Sequence, residues 1–247
     1  MIGTGPYDSL REYVEAIEEH GKLIRIDEID QDAYELTGFM YKLLDKYGWL
    51  GAPAVIVERV KIDGEWMQGP ILINQYGMGG HEALVVGVPL DEIDPEDHIL
   101  NYKKSLEKML NEVPIEPKKT KEVKASDAPS KEVILKGDEI DILSFPFIQT
   151  NPADNGRFIN TGNLITIDPD GGRNVGTYRM QIKGPRKIGI SPERNQDGWK
   201  ALMAHKEAGE THANVAVVLG TDPIVFAMSS SKTARSGQDE LEIAGGF

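Results

Sequence analysis

Apolar positions in the first hundred residues alternate between a helical and an extended period. Leu10, Tyr13, Val14 and Ile17 recur every three or four residues, which is one face of an amphipathic helix. Ser9 followed by Glu12 has capping-box spacing at its start, and Gly21 is a stop signal. "KLIRI" then reads as a strand, and Leu36, Phe39, Met40, Leu43, Leu44 and Tyr47 form the apolar stripe of a second helix. "PAVIVERV" and "PILINQYG" read as strands flanking a turn at Asp63-Gly64, a dipeptide suited to tight hairpins. A third helical period runs from roughly 95 to 111 and predicts that Ile99, Tyr102, Leu106, Met109 and Leu110 face inward. Between strand and helix lies "GMGGHEALVVG". It lacks the G-x-G-x-x-G spacing and the acidic ribose partner of a dinucleotide loop, so it reads as a structural turn.

The pattern then changes. Residues 113–131, "VPIEPKKTKEVKASDAPSK", are rich in proline and lysine and have no hydrophobic period, so they predict an extended connector. Beyond it come the short runs "EVIL", "FINTGNLITI", "VGTYRMQI", "KIGISP" and "NVAVVLG", with helical stretches at about 197–209 and 223–231 and another opening near 239. The expected fold class is therefore α/β in the mixed α+β sense. An N-terminal α/β domain (1–115) precedes a barrel-like β domain (116–247).

Charge narrows the partners. Twenty-seven basic against forty acidic residues give a formal net charge of −13, which argues against nucleic acid or an anionic membrane surface. The chain has no cysteine, which excludes disulfides, thiolate nucleophiles and cysteine-bound metals. No signal peptide or membrane-length apolar run is visible, so a soluble cytoplasmic protein is expected. There is no HExxH and no G-x-S-x-G, so neither zinc nor serine hydrolase chemistry has support. His205 and His212 are separated by Gly209 and Thr211, which end the intervening helix and make shared metal ligation improbable.

Candidate chemistry concentrates in "GGRNVGTYRMQ", residues 171–181, an extended run too polar to be core. A glycine within a strand marks a bulge or a close approach by a ligand. Asn174 and Arg179 are five apart, so a regular strand sends them to opposite faces. They serve one site only if the chain bulges between them, with Gly176 as the expected bulge, or if Asn174 sits in the turn. Arginine suits a carboxylate or phosphate, and an asparagine oxygen suits a hard cation such as Mg²⁺, Mn²⁺ or K⁺. Asp239, Glu240 and Glu242 open the last helix, where carboxylates are favoured at an N-terminus.

The stretch "DNGRFINTGNLITIDPDGGRNVGTYRMQ" resembles the signature of the UbiD family of decarboxylases, a D-x-G-x-[FY]-[IV] strand, a D-P turn and N-x-G-x-Y-R. "SLREYVEAIEEHGKLIRI", "KEVILKGDEIDILSFP", "VAVVLGTDPIVFAMSSS" and "GQDELEIAGGF" are similar to further family segments in the same order. The resemblance implies a split β-barrel that holds prenylated FMN with a divalent metal (Mn²⁺ or Mg²⁺) and K⁺. It implies a decarboxylase or reversible carboxylase for an aromatic or α,β-unsaturated acid. Matched by motif, Asn174 and Glu240 bind metal beside the flavin phosphate, and Arg179 contacts flavin and substrate carboxylate as the catalytic arginine. Gly176, Thr177, Ser229 and Ser230 line the flavin. Glu193 stands where the family usually has a metal-binding histidine, with Arg194 beside it. Family members continue past the position of Phe247, so a homo-oligomer, or a second chain supplying the remaining part, is expected. Two alternatives stay open: a non-catalytic or partner-dependent subunit of a split enzyme, and an oxidoreductase binding ordinary FMN.

Overall fold

The computed structural model describes residues 2–111, 116–231, 234 and 237–247. The first helix, α1 (Leu10–Glu19), is capped where expected. Ser9 accepts from the Glu12 amide at 3.2 Å, while the Glu12 carboxylate reaches one residue further back, to the Asp8 amide at 2.9 Å. Strand β1 (Leu23–Asp30), helix α2 (Glu35–Tyr47) and strand β2 (Ala54–Ile62) follow. β1 and β2 pair in parallel, the arrangement a crossover helix allows. β3 (Glu65–Ile73) returns antiparallel through a two-residue turn in which Asp63 and Gly64 both have positive φ (53° and 82°), the geometry the dipeptide predicts.

Three differences from the sequence reading have physical causes. "GMGGHEALVVG" contains a short helix, α3 (Gly79–Val85), rather than a turn alone. It packs against α4 (His98–Asn111) so closely that a Cβ on Gly79 would stand 2.0 Å from the His98 carbonyl oxygen. The inward face of α4 is shifted from the one expected: Asn101 and Ser105 are buried, Met109 packs on the core as read and Tyr102 is half-buried, while Ile99, Leu106 and Leu110 are exposed. Small and polar side chains fit the tight contact where leucines would not. "EVIL" forms no strand, since Val133, Ile134 and Leu135 lie exposed without a ladder partner.

The expected boundary at residue 115 falls outside the described residues. From 116 onward the connector is extended, broken only by single helical turns at Ala125–Asp127 and Pro129–Lys131. The second sheet comprises β4 (Phe158–Ile167), β5 (Arg173–Gly184), β6 (Lys187–Ile190) and β7 (Val215–Val218). It is antiparallel throughout, in the order β6-β5-β4-β7, and curls into a half-barrel. Helices α5 (Asp197–Glu207), α6 (Pro223–Ser230) and α7 (Glu240–Ala244) pack on it. Ile224 and Met228 of α6 join Tyr13, Ile17 and Leu84 in one buried cluster, which ties the barrel's helices to the N-terminal unit. Among the described residues no helix is long and apolar enough to cross a membrane.

Candidate functional site

β5 is regular where a bulge was expected. Asn174, Val175, Gly176, Thr177 and Tyr178 face Thr166, Ile165, Leu164, Asn163 and Gly162 one for one. The register shifts instead on β4, between Ile159 and Gly162, opposite Arg179. Gly176 has a different reason to be glycine. A Cβ there would lie 2.6 Å from the Tyr178 ring, and one on Gly198 would lie 2.5 Å from the Tyr178 hydroxyl. The ring of Tyr178 is thus clasped by two glycines, and its hydroxyl accepts from the Gly198 amide at 3.1 Å. Burial raises the phenol's pKa, so it stays neutral.

Around this strand the fold gathers a polar cleft of about 540 Å³. Asn174, Gly176, Thr177, Glu193, Ser229, Ser230 and Glu240 all line it, together with Lys200 and Asp197. Asp222 caps α6 by accepting from Ile224 and Val225 at 3.0 and 2.9 Å, which sets the end of that helix carrying Ser229 and Ser230 against β5. Asn163, fully buried, donates to Thr177 Oγ1 at 2.9 Å and to Ser229 Oγ at 2.6 Å, and accepts from Thr221 at 2.8 Å. Ser230 donates to Thr177 at 2.9 Å. The result is a hydroxyl-lined wall fixed by one buried amide. The sequence reading passed over Asn163, although an amide inside the apolar run "FINTGNLITI" is the kind of buried polar residue that signals such a network.

Glu240 closes the cleft. Its Oε2 accepts from the Val175 amide at 2.8 Å, and burial raises its carboxyl pKa against that hydrogen bond. Neighbouring Asp239 caps α7 through the Leu241 amide at 2.9 Å and pairs with Arg173, whose Nε lies 2.7 Å away. Asn174 directs Nδ2 towards Thr166 Oγ1 at 3.5 Å, a long contact, and its carbonyl oxygen has no donor among the described residues. Asn174, Glu240 and Glu193 offer only oxygen, the donor type that Mg²⁺ or Mn²⁺ prefers. Among the described residues no three His, Cys, Asp or Glu side chains come together as a metal site. His205 takes no part: it bridges Glu210 at 2.8 Å and the Ile167 carbonyl at 2.7 Å.

Arg179 lies apart from this group. It lines a second, mainly apolar cleft of about 510 Å³ between α2 and the barrel, with Met40, Tyr41, Leu44 and Trp49 opposite. Its guanidinium stacks on Phe158, 4.1 Å to the ring centroid, donates through Nε to Asn160 at 3.0 Å, and pairs through Nη2 with Asp154. The guanidinium holds the Asp154 carboxyl below the usual carboxylate range. Thr177 of the first cleft and Arg179 of the second are two apart and share one face of β5, although the two clefts have no lining residue in common.

Comparison with known proteins agrees with this architecture. Residues 121–247 match the model for the UbiD family, the 3-octaprenyl-4-hydroxybenzoate carboxy-lyase Rift-related domain. The chain is similar to the phenolic acid decarboxylases of Escherichia coli O157:H7 (28% identical) and Sedimentibacter hydroxybenzoicus (28%), covering 97% of this chain and 48% of each relative. Among solved structures it resembles the vanillic acid decarboxylase of Sedimentibacter hydroxybenzoicus in closed form. That match has a TM-score of 0.78 and 26% identity, over 97% of this chain and 48% of that one. It also resembles an evolved dimeric form of the UbiD-class enzyme HmfF from Pelotomaculum thermopropionicum in complex with prFMN. There the TM-score is 0.76 and the identity 29%, over 97% of this chain and 50% of that one. The chain spans about half the length of the curated relatives it matches.

Proposed function

The chain belongs to the UbiD family of carboxy-lyases, and from that premise we propose that it carries the flavin-phosphate site and the carboxylate-binding arginine of a decarboxylase or reversible carboxylase. The substrate is an aromatic or α,β-unsaturated carboxylic acid. The observation that supports this reading is the convergence of Asn174, Thr177, Ser229, Ser230 and Glu240 on one cleft, with Arg179 further along the same strand. At about 3.4 Å per residue, five residues of β5 span roughly 17 Å. That is the scale of a flavin mononucleotide from phosphate to ring; because β5 runs without a bulge from 174 to 178, Asn174 and Arg179 lie on opposite faces, and Thr177 is the strand residue that shares Arg179's face.

At the phosphate end, Lys200, which pairs with Asp197 at 2.6 Å, would supply positive charge, and the Ser230 hydroxyl would turn from Thr177 to donate to the anion. Asn174, Glu240 and Glu193 would hold a divalent cation, Mn²⁺ or Mg²⁺, whose charge, with that of K⁺, would offset that of the flavin phosphate. Prenylated FMN, when bound, supplies the electron sink for the pair left behind as CO₂ departs. Arg179 orients the departing carboxylate with its planar fork, and the apolar residues of α2 exclude water from the reacting bond. We infer that the active species is an assembly, homo-oligomeric or joined by a second chain, since the chain resembles an evolved dimeric form of a UbiD-class enzyme. The test is CO₂ release from a phenolic acid by the assembled, flavin-loaded enzyme carrying Arg179→Ala. The expected loss is on the order of 100-fold. A wild-type rate in that variant removes Arg179 from the mechanism.

A further inference from the structure

Arg179 is held on three sides. Phe158 covers one face of its guanidinium, Asn160 takes Nε, and Asp154 takes Nη2. Nη1 has no partner among the described residues, although the arginine side chain remains 45% exposed. Asp154 is only 14% exposed and is itself anchored, because Gln149 donates to its backbone carbonyl at 2.9 Å and its own amide donates to the Asn151 carbonyl at 2.9 Å. The β4 bulge sits opposite Arg179 and includes Asn160, so the irregular backbone serves to bring that amide to the guanidinium. A half-exposed arginine otherwise samples many rotamers, and fixing it on binding costs affinity.

We propose that Asp154 is the positioning residue for Arg179: with Asn160 it fixes the guanidinium so that Nη1 is presented to the carboxylate of a planar aryl acid entering the cleft under α2. This inference rests on the assignment of Arg179 as the carboxylate-binding group. The occupant's class follows from the walls. Trp49 and Tyr41, 82% and 59% exposed, offer aromatic faces, and Met40 and Leu44 offer adaptable apolar contact. Asp154 also carries a negative charge that weakens attraction for any anion, so charge and orientation act in opposite directions. Two variants separate them. Asp154→Asn removes the charge and keeps an oxygen acceptor, while Asp154→Ala removes both.

The experiment is titration calorimetry of 4-hydroxybenzoate, with neutral 4-hydroxybenzamide as control, into the full chain or its assembly. Orientation predicts that Asp154→Ala binds the acid about five- to tenfold more weakly than Asp154→Asn. It also predicts that the Arg179 Nε–H resonance, sharp in wild type and Asp154→Asn, broadens in Asp154→Ala. Asn160→Ala provides the second route, with a weaker acid affinity and loss of the same resonance. Equal affinities for the two Asp154 variants, or tighter binding by Asp154→Ala, overturn the proposal. If Arg179→Ala binds the acid as wild type does, the assignment of Arg179 itself fails. If only that variant loses binding, Arg179 stands and the positioning role falls.

Discussion

Acidification should unfold this protein partly through one histidine, and the effect can be isolated. His81 on α3 is fully buried, its ring edge-on to Tyr13 with 6.5 Å between centroids. Its Nε2 lies 2.9 Å from the Lys22 carbonyl, which only accepts, so Nε2 carries the proton and Nδ1 is left without a partner among the described residues. Burial, aided by the charges of Lys22 and His98, lowers its pKa from 6.5 to about 4. The folded state therefore favours neutral imidazole. The unfolded chain takes up a proton near pH 6.5, and the folded chain does so only near 4. Stability is thus lost as pH falls through this window and is not regained below it. Linkage puts the loss at about 2 kcal/mol between pH 7 and 5, rising to about 3 kcal/mol below pH 4. His81→Gln keeps an N–H for the Lys22 carbonyl and cannot titrate. Glu82, Asp222 and Glu240, whose carboxyl pKa values burial raises, act in the opposite sense but are common to both proteins. Urea unfolding at pH 7, 6 and 5 should show the wild-type advantage over His81→Gln shrinking by about 2 kcal/mol. Parallel pH profiles, within about 0.5 kcal/mol, would refute the buried-neutral assignment.

Other perturbations follow from the same geometry. Gly176→Ala should drive a methyl into the Tyr178 ring, cost about 1–3 kcal/mol and lower flavin retention, both measurable by thermal melting with and without flavin. Glu240→Gln keeps an acceptor for the Val175 amide while removing a buried charge. The cation-free protein should therefore melt higher above neutral pH, where the wild-type carboxylate is ionised, and Mn²⁺ affinity should fall. Arg157 donates to the Phe147, Leu143 and Phe145 carbonyls at 2.8, 2.9 and 2.6 Å. Arg157→Lys cannot span three acceptors, and a loss of about 1–3 kcal/mol in denaturant unfolding is expected.

Much of the fold was legible because local signals and packing agree. The Leu36–Tyr47 stripe, the Asp63-Gly64 hairpin and the alternation of "FINTGNLITI" each name an element that forms. Where reading failed, a tertiary contact overruled periodicity. In α4 the helical period is correct but only Tyr102 and Met109 of the expected face turn inward, because Asn101 exchanges hydrogen bonds with the backbone of Asp94 and Gly79 admits no bulk. "EVIL" has strand composition but no neighbour to complete a ladder. For the candidate site, the family resemblance named Asn174, Thr177, Ser229, Ser230 and Glu240, all of which line one cleft in the structure. It could not reveal Asp154 and Asn160, whose approach to Arg179 depends on a bulge in the partner strand and a loop twenty-five residues upstream in sequence. Nor could it show that Gly176 makes room for an aromatic ring instead of bending the strand.

The measurement that bears most directly on the central claim is the intact mass of flavin released from the purified assembly, compared between wild type and Asn174→Ala. The account predicts a mass heavier than FMN by the prenyl-derived addition in the wild type, and little or none in the variant. Ordinary FMN retained equally by both proteins would contradict it.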